Sequence, residues 1–144
     1  MQPLEKLARY LAQGYVLHGS KSRLEILKPH LAENLSDRPE LNRLAVYATN
    51  DVRIALIFAT MKLDPANGSA SLRIWGDKPL IAQGSNAPIT SGFVHIVSRV
   101  HFKQINNGST FTSSVSVVPI DMVEVEPSIL ENLEQFKIVP STHY

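Results

Sequence analysis

The sequence predicts a single α+β domain over residues 1–144, and three observations carry the prediction. An amphipathic helix opens the chain. A strand pattern at 45–49 runs directly into a mostly apolar helical pattern. The second half is rich in strand signals, punctuated by Asn106-Asn107-Gly108. Helices at the two ends and in the first half, with strands concentrated in the second, are the pattern of segregated α+β architecture rather than alternating α/β.

Leu4, Leu7, Ala8 and Leu11 recur at helical spacing, with Pro3 to open the helix and Gly14 to close it. Tyr15 to His18 reads as a short buried strand, and Arg23 to Leu27 as a second strand or a single turn, ended by Lys28-Pro29. The polar stretch His30 to Arg43, with Pro39 within it, reads as loop with room for one turn of helix. Ala45 to Thr49 is a strand, and Thr49 or Asn50 is placed to cap a helix over about Asp51 to Lys62, with Asp51 at the positive end of its dipole. Asp64-Pro65-Ala66-Asn67-Gly68 is a turn cluster, and Ser71 to Trp75 a strand. Gly76 to Gly92 reads as a long loop, a length uncommon in compact domains outside lids and binding loops. Phe93 to Phe102 and Ser109 to Val118 read as strands joined through the Asn-Asn-Gly turn. A strand at Met122 to Val125 and a helix at Ile129 to Phe136, opened by Pro127-Ser128, complete the chain.

Composition restricts the classes of function. With 44% hydrophobic and 19% charged residues the chain reads as a folded domain, and its net charge of +1 supplies no field for nucleic acid or an anionic membrane. The absence of cysteine excludes disulfides, thiolate metal sites and a thiol nucleophile, and fits a reducing cytoplasm. No apolar run approaches the roughly 18–20 residues of a membrane span, and Met1 to Lys6 carries no apolar signal core. The expectation is a cytoplasmic protein with no membrane partner.

Familiar catalytic signatures are missing. Gly14 to Ser22 nearly spells a phosphate-binding loop, but Ser20 separates Gly19 from Lys21 and Tyr15-Val16-Leu17 are strand residues. The histidines His18, His30, His95, His101 and His143 have no zinc-helix spacing. His95 and His101 lie about 20 Å apart along an extended strand. No Gly-x-Ser-x-Gly elbow occurs. What remains is His18-Gly19-Ser20 at a strand end: a histidine able to bond a hydroxyl beside a glycine whose backbone a ligand can approach. The plainer reading is a strand end followed by a turn glycine.

The order Val16-Leu17-His18-Gly19-Ser20, Leu24 to Pro29, then Val46-Tyr47-Ala48-Thr49-Asn50-Asp51 with Ala55 in the next helix resembles the His-Tyr branch of the ADP-ribosyltransferase-like superfamily. That superfamily includes the poly(ADP-ribose) polymerases and the RNA 2′-phosphotransferases. Gly92 to Val97 and Phe102 resemble its second half. The resemblance implies two small β-sheets with flanking helices around a nucleotide cleft, with NAD as substrate. It implies that His18 bonds the nicotinamide-side ribose, Gly19 pairs its backbone with the carboxamide, Tyr47 lines the nicotinamide pocket, and Ser20 and Thr49 support them. Cleavage of the nicotinamide–ribose bond would then transfer ADP-ribose to an acceptor, protein or nucleic acid, that the sequence does not name.

Transferases of this family commonly place a Glu at the start of a late strand, where its charge stabilises the oxocarbenium-like transition state. The corresponding place here holds Thr110, and a shifted alignment brings Asp121 or Glu124 there instead. The phosphotransferases lack that Glu, and their hairpin is similar to Asn107-Gly108-Ser109-Thr110-Phe111. They use an Arg/His set for which Arg43, Arg53, Arg73 and Arg99 are the available arginines. Two other readings stand beside the transferase. One is a degenerate nucleotide- or ADP-ribose-binding module, the other an unrelated protein binding a partner through Gly76 to Gly92 and the terminal helix.

Overall fold

The computed structural model describes residues 2–31, 44–60, 71–73, 80–83, 90–132 and 136–139. Helix α1 spans Pro3–Ala12, with Pro at its first turn where the missing N–H costs nothing. It ends where Gly14 adopts φ +93°, a left-handed conformation that lets the Gly14 and Tyr15 amides close back onto the carbonyls of Leu11 and Tyr10. Strand β1 (Val16–Ser20) follows, then β2 (His30–Leu31), β3 (Leu44–Thr49) and helix α2 (Val52–Thr60). The remaining strands are β4 (Ser71–Arg73), β5 (Leu80–Gln83), β6 (Gly92–Val97), β7 (Lys103–Gln104), β8 (Thr110–Ser113), β9 (Asp121–Val125) and β10 (Phe136–Val139). Mixed helices and strands with an antiparallel main sheet make the chain α+β.

The main sheet runs β7-β8-β3-β1-β6-β9, with β2 also paired to β3. Every pairing in it is antiparallel. A second sheet has the order β10-β5-β4, with β10 parallel to β5. Strand alternation divides the core of the main sheet into two layers. Leu17, Val94, Ile96, Val123 and Val125 face α1 and α2 and pack on Leu7, Ala55, Leu56 and Ala59. Val16, Val46, Ala48, Val97 and Phe111 face the other way, onto Leu27, Phe102 and Val117.

Several sequence expectations are revised. β1 continues through Gly19 and Ser20, which pair with Val94 and Phe93, so Gly19 is a strand residue and not a turn. Its missing Cβ serves the helix: a Cβ there would strike the Ala55 carbonyl and lie 2.9 Å from the Ala59 nitrogen. Arg23 to Leu27 is not a strand, and only Leu27 pairs, by reciprocal 2.8 and 2.9 Å backbone bonds with Val117. Two residues of the expected 30–43 loop form β2, and four of the expected 76–92 loop form β5. The strand after Gly92 stops at Val97, because the Ser98 hydroxyl accepts the Val100 N–H and starts a 3-10 turn at Arg99–His101.

The Asn-Asn-Gly turn forms as expected. Asn106 and Asn107 have φ of 51° and 56°, and the Gly108 amide bonds Ile105 O at 2.9 Å. Its strands, β7 and β8, are far shorter than the sequence pattern suggests. After β8 the chain leaves the sheet, crosses over Leu27 at Val117, and returns as β9. The expected terminal helix is a 3-10 segment, Pro127–Asn132, that drops Ile129 and Leu130 into the helix-side core, followed by β10. Arg43, the turn cluster within 61–70, the end of the strand expected to reach Trp75, and the parts of the expected long loop at 76–79 and 84–89 lie outside the described residues.

Candidate functional site

β1 is held very differently on its two sides. Toward β6 all five of its residues are in register, from Val16↔Val97 to Ser20↔Phe93. Toward β3 the register consists of Leu17↔Thr49 alone. Beyond that pair the two strands part, and His18 bridges them: its Nδ1–H donates to the Tyr47 carbonyl at 2.5 Å. A carbonyl only accepts, so the bond fixes the proton on Nδ1 and the ring orientation.

Alternation sets the directions of the expected site residues. His18 and Ser20 follow Val16 onto the face away from the helices. Gly19 follows Leu17 onto the helix face, and Tyr47 shares that face with Thr49, which stands opposite Leu17. Ser20 Oγ accepts the Ser22 N–H at 3.1 Å. Thr49 is buried and its Oγ1 accepts the Asp51 N–H at 3.0 Å. The α2 cap is Asp51, whose Oδ1 accepts the Arg53 N–H at 2.9 Å, rather than Thr49 or Asn50. Asp51 also grips the Arg53 guanidinium at 3.0 and 2.7 Å, which keeps the Arg53 charge well held.

On the far side of β3, Thr112 stands opposite Tyr47 and Thr110 opposite Thr49. The start of β8, where the resemblance expects Glu, therefore carries Thr110 against the paired end of β3, and Thr112 stands beside Tyr47. The two acidic candidates are elsewhere. Asp121 and Glu124 lie on β9, the edge strand, with β6 between it and β1. Two strand spacings put them about 10 Å from β1 and a third puts them about 15 Å from β3. Asp121 is also engaged: the Tyr10 hydroxyl donates to it, Lys6 Nζ is 3.1 Å away, and the Met122 N–H donates at 2.7 Å. The Tyr10 bond, with Met122 and Lys6 assisting, holds its carboxyl below the usual carboxylate range against the opposing effect of burial. Glu124 is exposed.

Basic residues do not converge on the β1–β3 opening either, among the described residues. Lys21 Nζ bonds the Thr60 carbonyl at 3.0 Å and the Thr90 hydroxyl, which puts its charge at the C-terminal end of α2. A phosphate-loop lysine serves the opposite end of a helix. The Arg99 guanidinium lies over the Phe111 ring, 4.7 Å from its centroid.

The residue that sequence reasoning passed over is His95. It is fully buried, its Nδ1–H donates to the His18 carbonyl at 3.1 Å, and its Nε2 accepts the Leu24 N–H at 2.9 Å. Burial pushes its pKa down, opposed by the bond to the His18 carbonyl. The signal for it was parity: His95 alternates with Val97, a core position, so its side chain had to be inside. No family model, curated protein or solved structure matches this chain.

Proposed function

We propose that the chain is a nucleotide-binding module of ADP-ribosyltransferase-like architecture that holds NAD or ADP-ribose where β1 and β3 part, without transferring the ADP-ribose group. The observation that carries this reading is the single β1–β3 register pair with His18 bonded across the opening to Tyr47. Strand edges that separate inside a sheet offer backbone N–H and C=O groups to a planar amide, as a third strand would. Gly19 would supply those groups to the carboxamide, Tyr47 a flat ring from the helix face, and His18, with Ser20 beside it, a contact to the ribose from the other face.

Binding is favoured over transfer by the acidic residues. On β8 Thr112 stands opposite Tyr47 and Thr110 opposite Thr49, and Asp121 is committed to Tyr10 and Lys6 across two strands. The transition state of nicotinamide–ribose cleavage needs an anion close to the anomeric carbon. The test is calorimetric titration with NAD and ADP-ribose alongside an assay for free nicotinamide. The expected result is millimolar or tighter binding of both, weakened about tenfold by His18→Ala, with no nicotinamide released. Absence of binding at millimolar NAD overturns the module. Nicotinamide release that disappears in Asp121→Ala or Glu124→Ala restores the transferase.

A further inference from the structure

We infer that His95 is a pH-sensitive latch that fastens the segment 23–25 to β1 when its ring is neutral and lets that segment go when the ring is protonated. The inference needs no ligand and stands apart from the nucleotide-binding reading.

Both ring nitrogens of His95 are committed, and in opposite senses. Nδ1 must carry a proton to reach the His18 carbonyl, and Nε2 must carry a lone pair to take the Leu24 N–H. Only one neutral tautomer satisfies both. Protonation puts a second N–H where the Leu24 N–H already points, so two donors face each other in a fully buried place. The Nδ1 bond survives in either state, so the side that yields is Leu24. Leu24 and its neighbours Arg23 and Glu25, with Pro119 to Met122, line a groove of about 360 Å³, and release of the segment removes one wall of it.

The charged surroundings are few. On β1 the His18 ring meets His95 edge-on with centroids 5.9 Å apart, and its own bond to Tyr47 persists in either protonation state. On β9, Met122 lies opposite His95, Glu124 shares its face and Asp121 points to the helix side. In the released segment Arg23 and Glu25 flank Leu24, both exposed, and Lys21, ahead of it, keeps its ammonium on the Thr60 carbonyl and the Thr90 hydroxyl. The crossing segment Ser114 to Ile120 carries no titratable side chain. Among the described residues, nothing on these elements compensates a buried imidazolium at the Leu24 contact.

The sign follows from burial. The imidazole titrates near 6.5 when unfolded, and in the fold it is held lower. The contribution of His95 is therefore complete above that value and is lost as pH falls below it. Ring 15N NMR of the native protein at neutral pH is expected to show His95 as the Nδ1–H tautomer. An Nε2–H tautomer or an imidazolium there overturns the latch. Amide exchange supplies the second reading: protection of the Leu24 N–H, relative to Val94, is expected to fall about tenfold or more between about pH 7.5 and about pH 5. In His95→Gln, which cannot titrate, the ratio is expected to stay flat. A flat ratio in the native protein, or an undiminished fall in His95→Gln, overturns the proposal. Should that variant not fold, the native tautomer and exchange profile decide the question.

Discussion

The two edges of β1 differ in kind. On the β6 side, five consecutive pairs continue to β9, and the helix-facing residues of all three strands lie under α1 and α2. On the β3 side, one pair closes the sheet, and the histidine next to it spans the opening. The zipped edge is set by side chains with one consistent pattern: apolar residues facing the helices, and glycines (Gly19 on β1, Gly92 on β6) where the α2 backbone comes close. The parted edge keeps its one pair at the end where β3 passes into α2, with the Thr49 hydroxyl turned to the Asp51 amide; toward Ser20 and the start of β3 the His18–Tyr47 bond stands in place of backbone pairing. One edge is continuous backbone pairing; the other is the edge at which the proposed nucleotide would enter backbone hydrogen bonding.

That contrast can be broken at several points. Leu17→Ala, on the helix face with no exposed surface, is expected to cost about 3–4 kcal/mol in denaturant unfolding. A loss under 1 kcal/mol would mean that β1 is not the centre of the helix-side core. Gly19→Ala pushes a methyl into the Ala55 carbonyl, and about 2–3 kcal/mol of destabilisation is expected. A neutral substitution would show α2 standing off from β1. Native-state amide exchange sharpens the comparison without mutation. The β1 amides facing β6 are expected to exchange about a hundredfold more slowly than those facing β3, and NAD should slow the fast set alone if it binds there. Asp51→Ala removes the cap of α2, and about 1 kcal/mol is the expected loss in thermal unfolding.

The smallest effect concerns the outer strand. Because the Tyr10 hydroxyl leads the downward shift of the Asp121 carboxyl, the pair stabilises the fold above the ordinary carboxylate range. That contribution is lost as pH falls through and below about 4. Tyr10→Phe should leave the neutral-pH contacts of Lys6 intact and flatten the acid limb of the stability profile. An unchanged acid limb would show that Lys6 alone holds the carboxyl.

Much of this was legible in local pattern. The α1 period, the Pro3 and Gly14 boundaries, the strand-to-helix passage at Thr49 and the left-handed Asn106-Asn107 turn each follow from residue types whose backbone preferences act over a few neighbours. The candidate site was legible only as far as the order His18-Gly19 then Tyr47. Gly19 was read as clearance for a ligand, whereas its clearance is used by Ala55 and Ala59 on α2. His95 was not distinguished from the other histidines, because nothing local reports that Leu24, 71 residues earlier in sequence, would deliver an amide to it. Ile129 to Phe136 was expected as a helix opened by Pro127-Ser128, but Pro127–Asn132 is a 3-10 segment with Ile129 and Leu130 anchored in the core, and Phe136 begins β10.

The sequence by itself determined the α+β class, the identity of the principal helices and strands, and the residue types near the opening, because propensity, capping and alternation are short-range. Tertiary structure alone decided which strands adjoin. It placed Thr112 beside Tyr47 and Thr110 beside Thr49, Asp121 and Glu124 on a remote edge, and His95 between two backbone segments. Strand order depends on long-range burial and register, and no window of neighbouring residues encodes it.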